Sequence, residues 1–274
     1  MTPKKVSVIL STYNRPKALY VVLSSLCRQE NDNFEIIVAD DGSGPQTLDV
    51  VRQFQERFPT ITIHHVWQEK KGFRLARIRN LSVKAATGDY LIFLDGDCIP
   101  PPHFISRHCS LAEKGWAVYG QRILATQDYT EAVEMNPQIV LTTDYWKIKN
   151  FFMLFIHRQI NRLFPFIPII GNKWRKLKPH DWQKIRGCNW AIWRKDYLEI
   201  NGSDESFEGW GSEDKDLAVR LINNNTKMKD GRNYSFVLHL WHTQASRDRN
   251  NIQSKIVLDR FHSKQILPHK GMIQ

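Results

Sequence analysis

Asp89-Tyr-Leu-Ile-Phe-Leu-Asp-Gly-Asp97 carries a bulky, uncharged run, Tyr90 to Leu94, straight into two carboxylates two residues apart. The run has the length and composition of a buried strand, so Asp95 and Asp97 fall at its carboxyl end. A hard divalent cation such as Mg2+ or Mn2+ takes oxygen ligands and binds through one or two carboxylates plus substrate phosphates. Gly96 lets the backbone between them approach a ligand closely. The plain alternative is a solvated Asp-Gly turn, and the surrounding chain decides between the two.

Upstream, strand-like and helix-like stretches alternate. Val6-Ser-Val-Ile-Leu10 precedes a helical pattern through Ala18, Leu19, Val22, Leu23 and Leu26, and Phe34-Glu-Ile-Ile-Val-Ala39 follows. A second helical pattern leads to Ile61-Thr-Ile-His-His-Val66, and a third, Ala76 to Ala86, leads back to the quoted run. This rhythm predicts an α/β fold, a mostly parallel central sheet flanked by helices. In such sheets ligands sit beyond the carboxyl ends of the strands. Polar clusters fall at those ends: Ser11-Thr-Tyr-Asn14, Asp40-Asp-Gly-Ser43 and Asp95-Gly-Asp97.

From about Trp116 the rhythm loosens. Residues 144–180 mix Trp146, Phe151, Phe152, Phe155, Phe164, Phe166 and Trp174 with Lys147, Lys149, Arg158, Arg162, Lys173, Arg175, Lys176 and Lys178, and read as a basic, partly helical insertion. Such a mixture suits an anionic bilayer surface; equally, the aromatics could complete the core while the cations stay solvated. A strand is expected within Ile185 to Trp193, helices over Lys195 to Asn201 and Glu213 to Asn223, and a late strand over Ser235 to Trp241. The polar, basic residues after His242 read as a tail or flap.

Composition bounds the function. With 274 residues and 42% hydrophobic content the chain can bury a full core as one compact unit. The start, Met1-Thr-Pro-Lys-Lys5, carries no signal-peptide pattern, and no run reaches the roughly 18 to 20 apolar residues that span a bilayer. A cytoplasmic protein is expected, with any membrane contact peripheral. Four cysteines without CxxC spacing imply free thiols and no zinc site. The net charge of +11 fits nucleic acid, an anionic membrane or phosphorylated substrates alike.

Asp41 could accept hydrogen bonds from a nucleobase or ribose, or cap the next helix, and Ser11 and Tyr13 could line the same pocket. Lys71-Gly-Phe-Arg-Leu-Ala-Arg-Ile-Arg-Asn80 offers cations for a diphosphate, and spacing does not choose among Arg74, Arg77 and Arg79. In Gly209-Trp-Gly-Ser-Glu-Asp214 the glycines allow a tight loop, Trp210 presents a flat face to a sugar ring, and Glu213 and Asp214 open a helix, where acids are favourable on dipole grounds alone. His239 and His242 could each bring an imidazole to the metal.

These motifs resemble the nucleotide-binding half of glycosyltransferase family 2, whose fold is called GT-A. Val6 to Asn14, Asp40 to Ser43, Gly72 to Asn80 and Asp89 to Asp97 carry the likeness in order over residues 5–105. Arg186-Gly-Cys-Asn-Trp190, Ile200-Asn-Gly202 and Gly209 to Asp214 resemble the galactosyltransferase-type C-terminal region of β-1,4-galactosyltransferases and bacterial chondroitin polymerases. The resemblance implies an inverting, metal-dependent transferase using a UDP-sugar with Mn2+ (or Mg2+). Residues 1–115 would then be the nucleotide-sugar-binding half, residues 116–245 the acceptor-binding and catalytic half, and residues 246–274 the tail or flap. It implies that Ser11, Tyr13 and Asp41 contact the uridine, Arg74 lies near the diphosphate, Asp95 binds the nucleotide-sugar, and Asp97 and His239 hold the metal. Asp214 would be the base, with Glu213 and Trp210 shaping the site. Ser212 stands where glycine is more usual. The expected acceptor is a glycan hydroxyl, with lipid-linked glycans of bacterial lipopolysaccharide core or capsule as candidates. The competing expectation is a non-catalytic polyanion or nucleic-acid binder, against which the acidic ligand edge speaks. A sugar nucleotidyltransferase would carry a Gly-rich phosphate loop, which Ser11 to Pro16 is not.

Overall fold

Val6–Thr12 and Phe34–Asp40 are buried along their whole length, and Tyr90–Asp95 along all but its last residue, because helices cover both faces of the sheet that they form. The computed structural model describes residues 2–31, 33–163, 173–209, 211–243 and 250–273. Its first half runs β1 (Val6–Thr12), α1 (Pro16–Leu26), β2 (Phe34–Asp40), α2 (Pro45–Arg57), β3 (Thr62–Trp67), α3 (Leu75–Ala85) and β4 (Tyr90–Asp95). Pro16 and Pro45 open their helices, where the missing N–H costs nothing.

The second half contributes β5 (Cys98–Ile99), α4 (Phe104–Leu111), β6 (Trp116–Tyr119), β7 (Gln121–Leu124), α5 (Gln127–Met135), α6 (Gln138–Leu141) and α7 (Ile148–Ile156). It continues with β8 (Asn189–Trp193), α8 (Arg194–Glu199), α9 (Glu213–Asn223), β9 (Lys227–Asp230), β10 (Phe236–His239) and α10 (Asn250–Ser263). Among the described residues, seven strands form the main sheet in the order β3-β2-β1-β4-β8-β6-β9. The first four are parallel, β8 is antiparallel to both β4 and β6, and β9 is parallel to β6.

The chain winds from β1 outward to β3 and then returns to place β4 on the other side of β1. That reversal opens a crevice at the carboxyl ends of β1 and β4, where Ser11 lies in register with Asp95 and Thr12 with Asp40. A second sheet, β5-β10-β7, crosses the mouth of this crevice and sets His239 opposite Cys98, the neighbour of Asp97.

The basic aromatic segment divides between core and surface. Trp146 and Phe151 are buried, with ring centroids 6.1 and 6.2 Å from Phe236 on β10. Phe152 and Phe155 remain 48% and 43% exposed. Arg175 and Lys176 are structural cations, bonded to the Asp230 carbonyl at 2.8 Å and to Glu113 at 2.6 Å. Phe164 and Phe166 lie outside the described residues.

Much of the stretch expected as a tail or flap is helix α10, packed on α9. Its Arg260 is buried between Asp216 and Asp204, 2.5 Å from the latter, and Arg220 joins the same cluster through Asp216 at 2.8 Å. The backbone N–H groups of His269 and Lys270 also bond Asp204. Charges that look solvated in the sequence are here satisfied by one another, the condition on which burial of ions depends. Among the described residues no helix is long and apolar enough to cross a membrane.

Candidate active site

The chemistry gathers where α3, α9 and β4 meet. Helix α3 turns one buried face to the sheet, and Arg79 on that face is only 3% exposed at its side chain. Its guanidinium lies 2.8 Å from Asp214 Oδ1 and 3.4 Å from Asp95 Oδ1, and donates to the Gly187 carbonyl at 3.0 Å. Burial alone would weaken the charge, but Asp214, Asp95 and Glu213 outweigh it and raise the Arg79 pKa. Arg79 therefore fastens the first acidic motif to the second.

Asp214 stands in the first turn of α9, reached through a loop in left-handed conformations: Gly209 at φ +89°, Gly211 at +113° and Ser212 at +66°. The departure at Ser212 thus falls where glycine would be unstrained. Gly187 N–H donates to Asp214 Oδ2 at 2.7 Å, and a Cβ at position 187 would collide with that carboxylate. Glu213, beside it, is pushed up to about 8 by burial and by the Asp214 charge, against the pull of Arg79. Asp95 is raised to about 6, by burial first, with Asp97 and Asp214 adding to it and Arg79 opposing. Trp210 lies outside the described residues.

Asp97 is the centre of a second cluster. His239 Nε2 lies 3.6 Å from its Oδ1, His242 Nε2 lies 3.7 Å from its Oδ2, and the three ligand atoms fall within 4.8 Å of one another. Burial drives His239 down to about 4, leaving it the neutral imidazole a cation requires. One carboxylate and two imidazoles can converge on a cation about 2.0–2.2 Å from each. The donor set therefore fits a divalent metal. Both histidines come to Asp97, where the sequence separated them poorly. Arg15 also reaches this carboxylate, at 2.9 Å, and ties it to Glu134 at 3.1 Å.

At the other end of the crevice Asp40 and Asp41 divide two tasks. Asp40 braces the turn, accepting from Ser43 N–H at 2.7 Å and lying 3.0 Å from His65. Asp41 lines the pocket, accepting from Gln68 Nε2 at 2.5 Å, Arg74 N–H at 3.1 Å and Lys70 Nζ at 3.4 Å. A carboxylate offers roughly four lone-pair directions, so it retains capacity for a ligand. Tyr13 keeps 42% of its surface free, with Lys70 Nζ 3.4 Å from its ring centroid. The hydroxyls of Ser11 and Thr12 are buried without protein partners, as in a cradle whose bonds a bound molecule completes.

The crevice thus brings together Ser11, Tyr13, Asp41, Asp95, Asp97, His239, Glu213 and Asp214. Arg74 stands at the Asp41 wall, its guanidinium turned to the Glu69 carbonyl, and Arg79 is the arginine among the carboxylates. Sequence reasoning passed over Arg15, Gln68 and Lys70. Arg15 and Gln68 follow strand ends and were open to the same argument that found Tyr13; Gly187 stood within the Arg186 to Trp190 motif, but its contact with Asp214 had no local signal.

A family model described as Glycosyl transferase family 2 matches residues 7–171, and one described as the N-terminal domain of galactosyltransferase matches residues 172–243. Chondroitin synthase of Escherichia coli is 28% identical over 238 residues, which cover 78% of this chain and 32% of that protein. Validoxylamine A glucosyltransferase of Streptomyces hygroscopicus subsp. jinggangensis is 28% identical over 268 residues, covering 93% and 60%. The chain therefore spans between about a third and three fifths of these relatives' length. Among solved structures, S. aureus TarS 1-349 in complex with UDP superposes with a TM-score of 0.61 at 14% identity, over 95% of this chain and 65% of that one. The mannosyltransferase PcManGT from Pyrobaculum calidifontis, in complex with GDP-Man and Mn2+, gives 0.57 at 18%, over 97% and 63%. With a family model covering more than half of the chain, this GT-A protein belongs to glycosyltransferase family 2.

Proposed function

We propose that the protein moves a hexose from a UDP-sugar to a hydroxyl of a glycan acceptor with inversion at C1, in assembly of a bacterial surface polysaccharide such as lipopolysaccharide core or capsule. The observation that carries this is Asp214, held by Gly187 and Arg79 across the crevice from Asp95 and the Asp97–His239–His242 cluster. Ser11, Tyr13 and Asp41 hold the nucleoside, with Tyr13 as the stacking face. Asp97 and His239, joined by His242, hold the metal, which when bound offsets negative charge on the donor diphosphate. Asp214 accepts the proton of the acceptor hydroxyl as its oxygen bonds to C1 and the C1–phosphate bond breaks, its electron pair leaving with UDP. Arg79 holds Asp214 in position through its contact with Oδ1. Glu213, and Trp210 with it, shape the sugar side.

Calorimetric titration of UDP, GDP and CMP with Mn2+ and then with EDTA tests the reading. Mn2+-dependent, UDP-selective binding is expected. The GDP-Man complex of one structural neighbour makes GDP the informative competitor: preference for it would move the donor to a GDP-sugar, and absence of any nucleotide binding in folded protein would overturn the donor site.

A peripheral membrane contact is the second reading, and α7 supports it. Ile148, Phe152, Phe155 and Ile156 are exposed along one face, with Lys149 among them and Lys147 at the helix start. Apolar side chains edged by lysines match an anionic bilayer surface, and would bring the enzyme to a lipid-linked acceptor. Phosphatidylglycerol vesicles are expected to sediment the protein at low salt, phosphatidylcholine vesicles and the Phe152→Ser/Phe155→Ser variant far less. Indifference to phosphatidylglycerol would remove the contact.

A further inference from the structure

Among the described residues, Arg122 forms no ion pair, and its side-chain hydrogen bond goes to a sulfur. It lies on β7 in register with Val237 of β10, two residues before Leu124, the partner of His239. Side chains two apart on a strand share a face, so Arg122 projects from the small sheet on the side of His239, which in turn pairs with Cys98 beside Asp97. The guanidinium is partly buried, and its hydrogen bond runs to Cys188 Sγ at 3.9 Å. Cys188 follows Gly187, whose N–H holds Asp214. Arg122 therefore stands between the metal-binding cluster and the base.

The neighbouring acids are committed elsewhere: Asp97 pairs with Arg15, and Asp95 and Asp214 with Arg79. Among the described residues, no carboxylate lies within ion-pair distance of Arg122. Its charge is nonetheless felt at Asp95 and at His239. A guanidinium presents five donors in a planar fork matched to phosphate and carboxylate, and a long contact to sulfur uses little of that capacity. Such a group, partly buried on the His239 side of the small sheet, has donors left over for an oxyanion.

We propose that Arg122 binds an oxyanion of the substrate, the sugar-side phosphate of the nucleotide donor. This rests on the nucleotide-sugar reading above. In that reading C1 of the donor sugar lies between the diphosphate, which the Asp97 cluster would hold, and the acceptor hydroxyl that Asp214 would deprotonate, and Arg122 stands beside the phosphate that leaves. As the C1–O bond breaks, its electron pair passes to the phosphate oxygen, and Arg122, keeping its proton, offsets the negative charge that builds there. A carboxylate on a uronosyl donor would offer the same fork an equivalent pair of oxygens.

The test compares wild type, Arg122→Met and Arg122→Lys, with Arg122→Gln in reserve should the methionine variant not fold. UDP, UMP, UDP-glucose and UDP-glucuronate are titrated calorimetrically with Mn2+, and the thermal midpoint of nucleotide-free protein reports folding. Loss of about tenfold in UDP affinity with UMP unchanged, partly recovered by lysine, is expected for a lost charge-assisted phosphate contact. A loss confined to UDP-glucuronate relative to UDP-glucose would assign the oxyanion to the sugar carboxylate. Equal weakening of UDP and UMP, or no change for any ligand, would overturn the assignment. Wild type that fails to bind UDP would overturn the donor reading, whereas binding wild type with an indifferent variant overturns Arg122 alone.

Discussion

The Asp214→Asn variant is expected to keep nucleotide binding while losing transfer by about 10²- to 10⁴-fold, the range a general base contributes. The amide has nearly the shape of the carboxylate, so the loop and the first turn of α9 keep their path. It cannot accept the acceptor proton, and it leaves Arg79 facing Asp95 as its remaining close carboxylate. Glu213→Gln provides the contrast. Burial and the Asp214 charge push Glu213 up to about 8, so below that pH it is mostly protonated and a neutral amide resembles its working form. At pH 7 transfer by Glu213→Gln is expected to fall much less than by Asp214→Asn. Steady-state assays of both, alongside UDP titration, decide the matter, and the reverse order would move the base to Glu213.

Asp97→Ala is expected to bring nucleotide binding in Mn2+ down to the level of wild type in EDTA. Asp97 is the carboxylate to which both histidines come, with its two oxygens facing different rings. Its removal leaves two imidazoles, and it also frees Arg15, a second cation, beside the place the metal would occupy. Metal affinity should fall by more than the roughly 10- to 100-fold that loss of an outer partner costs, with His239→Ala and His242→Ala intermediate. Calorimetry of Mn2+ with UDP present reads this directly, and retained Mn2+ dependence in Asp97→Ala would place the ion elsewhere.

The sequence by itself determined the first half of the main sheet and the polar edge at its carboxyl end. β1, β2 and β4 are buried on both faces, so each is written as a largely apolar run, broken in β1 and β2 by Ser7 and Glu35, which bond each other, and the polar residues that end those runs must fall on one edge of a parallel sheet. Helix α9 was legible for the same local reason, its bounds set by the acids that open it and the periodic residues that follow. What no local pattern contains is which distant groups meet. Arg74, Arg77 and Arg79 look alike in the sequence; the rotation of α3 against the sheet puts Arg79 beside Asp214, 135 residues away. His239 reaches Asp97 only because β10 pairs with β5. The aromatics after Asp144 split between core and surface according to how α7 lies on β10. Arg260 reads as a solvated charge until α10 folds it between Asp204 and Asp216. Hydrophobic periodicity is a property of neighbours along the chain, whereas the pairing of charges depends on distances that only packing sets.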